Sequence, residues 1–534
     1  MDNFFLFLRT VRHLKWKQII FRVLYALRAK YRSFVRFKYK YNLYRKGKPL
    51  TFTSLIPSRK SYDSNTFTFL NQSITFSNGI DWDYMDHGKL WAYNLNYFDY
   101  LNQQDLPKEI GQALMYLFID QIKELKNANE PYPTSLRGIN WVKFLSRHHI
   151  EKKSFDRYLY SQYRILLDHL EYHILGNHLL ENGFSLLFGG YYFKGNELFE
   201  KGKEIMLVEL REQILDDGAH FELSPMYHKI ILHRLLDAYN LVINNRDVYE
   251  DVEFEKFLLQ VAEKMLGWLS SVTFVDGTTP RVNDSTEGIA PESDELFTYA
   301  DRLGIKWSRT NLSDSGYRMF KDQGVELFVD YGEIGPSYIP GHAHSDTFNF
   351  VLNCFGRPVI VDPGISTYNK GYRRQRERST SSHNTVRYGK LDQSEVWGAF
   401  RVGRRASAVI TEESEAGIKG YHSGYKRFGI YHQRIFDFNN EAITICDNMV
   451  AKSQLLAKSS AYFHFHPNIQ LSIHDNQVTT NDCVLNFSGN KEMRVKEYTY
   501  AHGYNHTEKA KLVEVLFDEH LTTKITLKED KKSN

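Results

Sequence analysis

The run Gly341-His342-Ala343-His344-Ser345-Asp346 places two imidazoles and a carboxylate at alternate positions. In an extended backbone alternate side chains share a face, so His342, His344 and Asp346 would point the same way. Asp362 follows at a predicted strand end, and His383 comes 21 residues later in Ser382-His383-Asn384-Thr385. Two histidines and an aspartate on adjacent strands would suit a zinc-type ion with an open fourth position. A lone histidine is more often a satisfied core or surface residue, and it is the clustering that favours a site here. A second set, Asn177-His178, follows Leu175 at a predicted helix break. Adjacent amide and imidazole donors there could clamp a carboxylate, and the plainer reading is a helix cap. The third set is Asp217-Gly218-Ala219-His220-Phe221-Glu222-Leu223-Ser224-Pro225-Met226-Tyr227-His228. A glycine turn and a proline-started helix would deliver Tyr227 and His228 on the first helical turn. A tyrosine ionises near pH 10, so Tyr227 needs cationic or metal neighbours to act as a base. Otherwise it is an amphipathic core residue with a hydrogen-bonded hydroxyl.

The elements that must position these residues fall into two textures. From about 105 to 305, helix-length periodic segments (Glu109–Lys126, Asp156–Gly176, Phe184–Phe199, Lys203–Ile214, Lys229–Val242, Phe254–Val272) alternate with short polar breaks, predicting a toroid or bundle of antiparallel helices. After about 315, short β-rich runs such as Val325–Tyr331, Thr347–Cys354 and Leu512–Phe517 predict an antiparallel β-sandwich. The chain thus reads as α+β and multidomain: an arm over 1–48, a helical domain over 49–310 and a β-sandwich over 311–534. The Lys-rich end from Lys528 to Asn534 reads as a frayed tail.

Composition narrows the function classes. A length of 534 residues with 42% hydrophobic content excludes general disorder, and a net charge of +4 is too balanced for nucleic-acid binding through bulk charge. That balance hides an asymmetry: residues 1–48 carry 14 Lys and Arg against one acid, Asp2, so the arm is +13 and the remainder −9. Apolar residues recur between those charges at helical spacing, predicting one basic amphipathic helix over 3–36. It would lie on anionic lipid or dock on the protein body with its charges solvated. Aromatics at 15% suit stacking on sugar rings, although most must be core. Cys354, Cys446 and Cys483 lack the spacing of a disulfide framework or thiolate zinc site. No cleavable export signal or membrane-length apolar run is read, so the expected location is the cytoplasm or the membrane periphery, with the periplasm or cell envelope as the alternative.

The runs GHAHSDTFNFVLNCFGRPVIVDPGISTY and RSTSSHNTVRYG, with LWAYNLNYFDYL, PYPTSLRGINWVKFL, GNHLLENG and DGAHFELSPMYH in the helical half, resemble the heparinase II/III-like family of polysaccharide lyases. The resemblance covers about 85 to 410. It implies an incomplete (α/α) toroid joined to an antiparallel β-sandwich, with a cleft between them, and β-elimination on a uronic-acid polysaccharide. It matches Asn177 and His178 to the carboxylate-binding pair and Tyr227 to the catalytic tyrosine, as acid and base. His342 matches the facing histidine, an alternative base, and Tyr368 a further active-site tyrosine. It matches His344, Asp362 and His383 to ligands of a structural metal, Zn2+ rather than Ca2+ given the imidazoles. Arg137 and Arg378 could hold substrate acids or sulfates, or be structurally paired. The basic arm resembles that of relatives associated with bacterial capsule or exopolysaccharide production. A metal-assisted glycoside hydrolase and a non-catalytic glycan-binding or assembly protein at the membrane are the competing readings.

Overall fold

The computed structural model describes residues 2–322, 324–439, 442–451 and 454–528, so most of the Lys-rich end lies outside the described residues. Helices Lys89–Tyr97, Lys108–Gln121, Pro131–Arg147, Lys153–Asp168, Gly176–Phe193, Asn196–Gln213, Pro225–Asn244, Val252–Val272 and Ser293–Arg302 build the first half. They form an incomplete (α/α) toroid. Helix Gly176–Phe193 is buried along nearly its whole length, because its glycines permit close approach: a Cβ on Gly190 would sit 2.8 Å from the Phe199 Cα of the next helix. Aromatic residues supply much of the core, with Trp82 stacked on Phe98 at 5.1 Å and Phe118 edge-on to Trp82 at 5.3 Å.

The second half is an antiparallel sandwich. One sheet has four strands in chain order: Tyr317–Asp322, Val325–Asp330, Phe350–Cys354 and Arg357–Ile360. The other is larger and is centred on the long hairpin Cys483–Gly503 with His506–Leu527. Leu327, Val329 and Leu352 of the first share one core with Phe436, Phe463, Val515 and Phe517 of the second. Strand Ile430–Asn439 alternates buried with less buried residues, the period expected of a strand covered on one face.

Several expected boundaries move. The helix expected to run to Gly176 stops at Asp168, and Gly176 instead opens the next helix, with Leu175 before it at φ 65°. The expected helix across 184–199 is divided at Lys194-Gly195, where Lys194 is left-handed at φ 49°. The strand expected from Thr347 begins at Phe350, because Phe348 turns the backbone at φ 68°. The arm is two helices, Asp2–Val11 and Trp16–Phe34.

The arm straps both halves. Arg9 pairs with Glu395 at 2.9 Å and Trp397 donates to the Thr10 hydroxyl at 3.1 Å, on the sandwich side. Lys15 pairs with Glu212, and Gln18 and Tyr25 donate to the carbonyls of Ile174 and Leu170, on the toroid side.

Candidate active site

Tyr227 sits on the first turn of helix Pro225–Asn244, which starts as its sequence requires: Pro225 at the first helical position and the Ser224 hydroxyl accepting from the Tyr227 amide at 3.3 Å. His342 reaches it from the loop that leads into the sandwich, and the two rings lie 4.1 Å apart. Tyr368 closes the group, its hydroxyl 3.2 Å from that of Tyr227 and 3.5 Å from His342 Nδ1. Phe400 lies edge-on to both His342 and Tyr368. Burial raises the Tyr227 pKa well above the ordinary phenol range, so it enters chemistry as a neutral proton donor.

Beneath His342 is a residue absent from the sequence reading, Asp284. Its Oδ2 is 2.8 Å from His342 Nδ1 and its Oδ1 is 2.9 Å from His344 Nε2, while Arg374 grips both oxygens. Burial alone would raise the Asp284 pKa, but the Arg374 guanidinium and the two imidazoles outweigh it and hold the carboxyl well below its usual range. A carboxylate only accepts, so His342 carries its proton on Nδ1 and turns the lone pair of Nε2 outward. His342 and His344 therefore converge on one carboxylate. Asp346, expected on the same face, is buried instead beside Asp362 and His383, since the segment is looped.

Asn177 and His178 occupy the first turn of helix Gly176–Phe193, and a Cβ on Gly176 would lie 3.6 Å from both Phe221 and Ile339, which flank the tyrosine and histidine loops. His178 Nδ1 is 2.9 Å from Glu171 Oε1 and its ring lies tilted against that of Tyr132, with centroids 4.6 Å apart. Burial works against its charge, but the Glu171 carboxylate prevails and raises its pKa. Asn177 Oδ1 is buried without a hydrogen-bond partner. Glu222, also buried with an unpartnered Oε2, is raised by burial and feels His342 and His178 from either side. One or two turns deeper along the Tyr227 helix, from Ile230 to Arg234, a cavity of about 840 Å³ opens, bordered by Lys143, Arg147 and Arg59.

Two expected substrate contacts are corrected. Arg137 is fully buried in the toroid, donating to Gln162, Thr134 and the Asn96 carbonyl and lying 4.5 Å over Phe118. Arg378 is fully buried as well; it donates twice to the Ala343 carbonyl and so holds the backbone between His342 and His344. Arg374, part of the same basic run, is spent on Asp284. Nothing in the spacing around Asn283-Asp284-Ser285-Thr286 distinguishes it from a polar turn, and only the fold brings it under the histidines.

Of the residues matched to metal ligands, His383 Nδ1 bonds Asp362 Oδ2 at 2.8 Å and the His344 ring is 5.2 Å from that of His383. His344 Nδ1 and His383 Nε2 are both buried without partners, a donor chemistry that fits a zinc-type ion. Among the described residues, no three His, Cys, Asp or Glu side chains are gathered around one point closely enough to ligate.

With this geometry in place, comparison with known proteins is informative. Residues 134–300 match the model "Heparinase II/III N-terminus" and 304–530 match "Heparinase II/III-like, C-terminal". A heparin-sulfate lyase of Bacteroides stercoris is 26% identical over 328 residues, covering 55% of this chain and 46% of the relative. One from Pedobacter heparinus is 26% identical over 237 residues, covering 39% and 35%. The matched region thus spans less than half the length of these curated relatives. A crystal structure of heparinase III superposes with a TM-score of 0.63 at 16% identity over 85% of this chain and 80% of that one, a likeness of fold.

Proposed function

Because the chain belongs to the heparinase II/III-like family, we propose that it is a polysaccharide lyase that cleaves an anionic, uronate-containing polymer by β-elimination. The observation that carries this reading is the meeting of a toroid phenol and a sandwich imidazole, Tyr227 and His342, at 4.1 Å. The C5 proton of a uronate becomes removable when the adjoining carboxylate is neutralised. This reading gives that task to His178, whose pKa the Glu171 carboxylate raises, and to the Asn177 amide beside it. His342 Nε2 takes the C5 proton, and the electron pair of that C–H bond forms the C4–C5 double bond. The C4–O bond breaks, and the departing oxygen receives the proton of Tyr227. Asp284 holds His342 in the tautomer this requires.

The heparin-sulfate lyase relatives make sulfated uronate polymers one substrate class to assay, and the cell's own capsular or exopolysaccharide is the other. A divalent ion held by His344, Asp362 and His383 would need these side chains to draw together from their positions in this structure; elemental analysis of purified protein tests for it. Tyr227→Phe should lower formation of unsaturated product by about 10²–10⁴-fold. Unchanged activity in that variant would remove the proposal.

A further inference from the structure

The arm docks the wrong way round for an ordinary surface helix. In helix Trp16–Phe34 the residues turned to the body are Gln18, Phe21, Tyr25, Arg28 and Arg32, and Gln18, Tyr25, Arg28 and Arg32 reach Ile174, Leu170 and Asp168 by hydrogen bonds and ion pairs. The opposite face carries Trp16, Ile20, Val23, Leu24, Leu27 and Tyr31, spaced as one stripe and exposed by 49–78%. The preceding helix adds Phe4, Phe5, Phe7 and Leu8, also exposed, while Leu6 turns inward against Gly403. Elsewhere among the described residues exposed large apolar side chains are scattered along the chain. A solvent-facing stripe of this length marks an interaction surface.

The charge around the stripe selects the partner. Residues 1–48 are +13 while the rest of the chain is −9; Lys30 on the helix and Arg36, Lys38 and Lys40 just past its end are exposed, whereas Lys17 lies over the Tyr172 ring of the body. An apolar face rimmed by Lys and Arg fits the headgroup boundary of an anionic bilayer, and no helix among the described residues is long and apolar enough to cross one. We propose that the outward face of the two arm helices is a docking surface for anionic lipid, on which the enzyme lies peripherally. The arm also grips the 395–403 segment next to Phe400, so the proposed lipid-facing helices are tied to the loop that borders His342.

The test uses the full chain and vesicles of phosphatidylcholine with or without about a third phosphatidylglycerol. Sedimentation with the anionic vesicles should exceed that with neutral ones by at least about tenfold and weaken with salt. Trp16 fluorescence should shift to the blue, as for an indole at a membrane interface. The triple variant Ile20→Ser/Leu24→Ser/Leu27→Ser should lose sedimentation yet keep the cleavage rate on a soluble oligosaccharide. Equal binding to both vesicle types, no binding by the native chain, or binding retained in the triple variant would each overturn the proposal. So would self-association through this face in place of vesicle binding.

Discussion

At the scale of single residues, the proposed chemistry turns on how one imidazole, His342, is oriented and how another, His178, is paired. Asp284 is the hub, and Asp284→Asn should misorient His342 and leave the Arg374 guanidinium buried without its counter-charge. The expected losses are about 10²–10⁴-fold in turnover and about 3–5 kcal/mol in stability, read by product formation and by urea titration. His178 sets a pH limit. Its pKa is raised in the folded chain above the ordinary 6.5. The contribution of its pairing with Glu171 is therefore complete below that ordinary value and is lost as pH rises through the raised one. Carboxylate binding should follow the same cation, so KM for a uronate oligosaccharide should climb as pH rises through that raised value. Glu171→Gln should move that climb to lower pH; an unmoved profile would show that His178 does not hold the substrate acid.

At the scale of elements, the loop before the Tyr227 helix is the most constrained. Gly218 has φ 93°, and a Cβ there would lie 2.2 Å from the Lys264 carbonyl oxygen, a backbone atom that cannot step aside. Gly218→Ala should cost about 2–4 kcal/mol and depress turnover by displacing Tyr227, as denaturant midpoints and rates would register. The sequence displays this loop plainly, since Gly218, Pro225 and the helical period after it all act locally. It displays helix Pro131–Arg147 poorly, because Pro131 and Pro133 look like breakers and instead occupy the first turn, where proline is tolerated. Arg137 and Arg378 mislead for a related reason: arginine is ordinarily exposed, and only tertiary packing reveals the carbonyls and amides that satisfy each guanidinium. Asp284 is illegible for want of any local pattern, whereas Tyr227, His342, Asn177 and His178 stand within extended motifs that resemble those of a known family.

At the scale of the whole molecule, Tyr227 and His342 meet because toroid and sandwich are tied at the joint. Asp217 Oδ2 accepts from the amides of Ser313 and Ser315 and from the Ser315 hydroxyl, at 3.1, 2.9 and 2.6 Å, stapling the connecting segment under the tyrosine loop. Asp217→Ala leaves the buried Ser315 amide and hydroxyl without this acceptor, at about 1–3 kcal/mol each, while the Ser313 amide, on an exposed residue, can turn to water. Calorimetry should then resolve separate toroid and sandwich transitions; a single unshifted transition would show that the joint is held elsewhere. The proposed elimination itself is tested most directly by following ultraviolet absorbance while the purified chain acts on heparan sulfate and on a sulfate-free uronate polymer. A 4,5-unsaturated uronate should appear on at least one, its fragment lighter by one water than a hydrolysis product, and should vanish in Tyr227→Phe. New reducing ends without that chromophore would contradict β-elimination at this site.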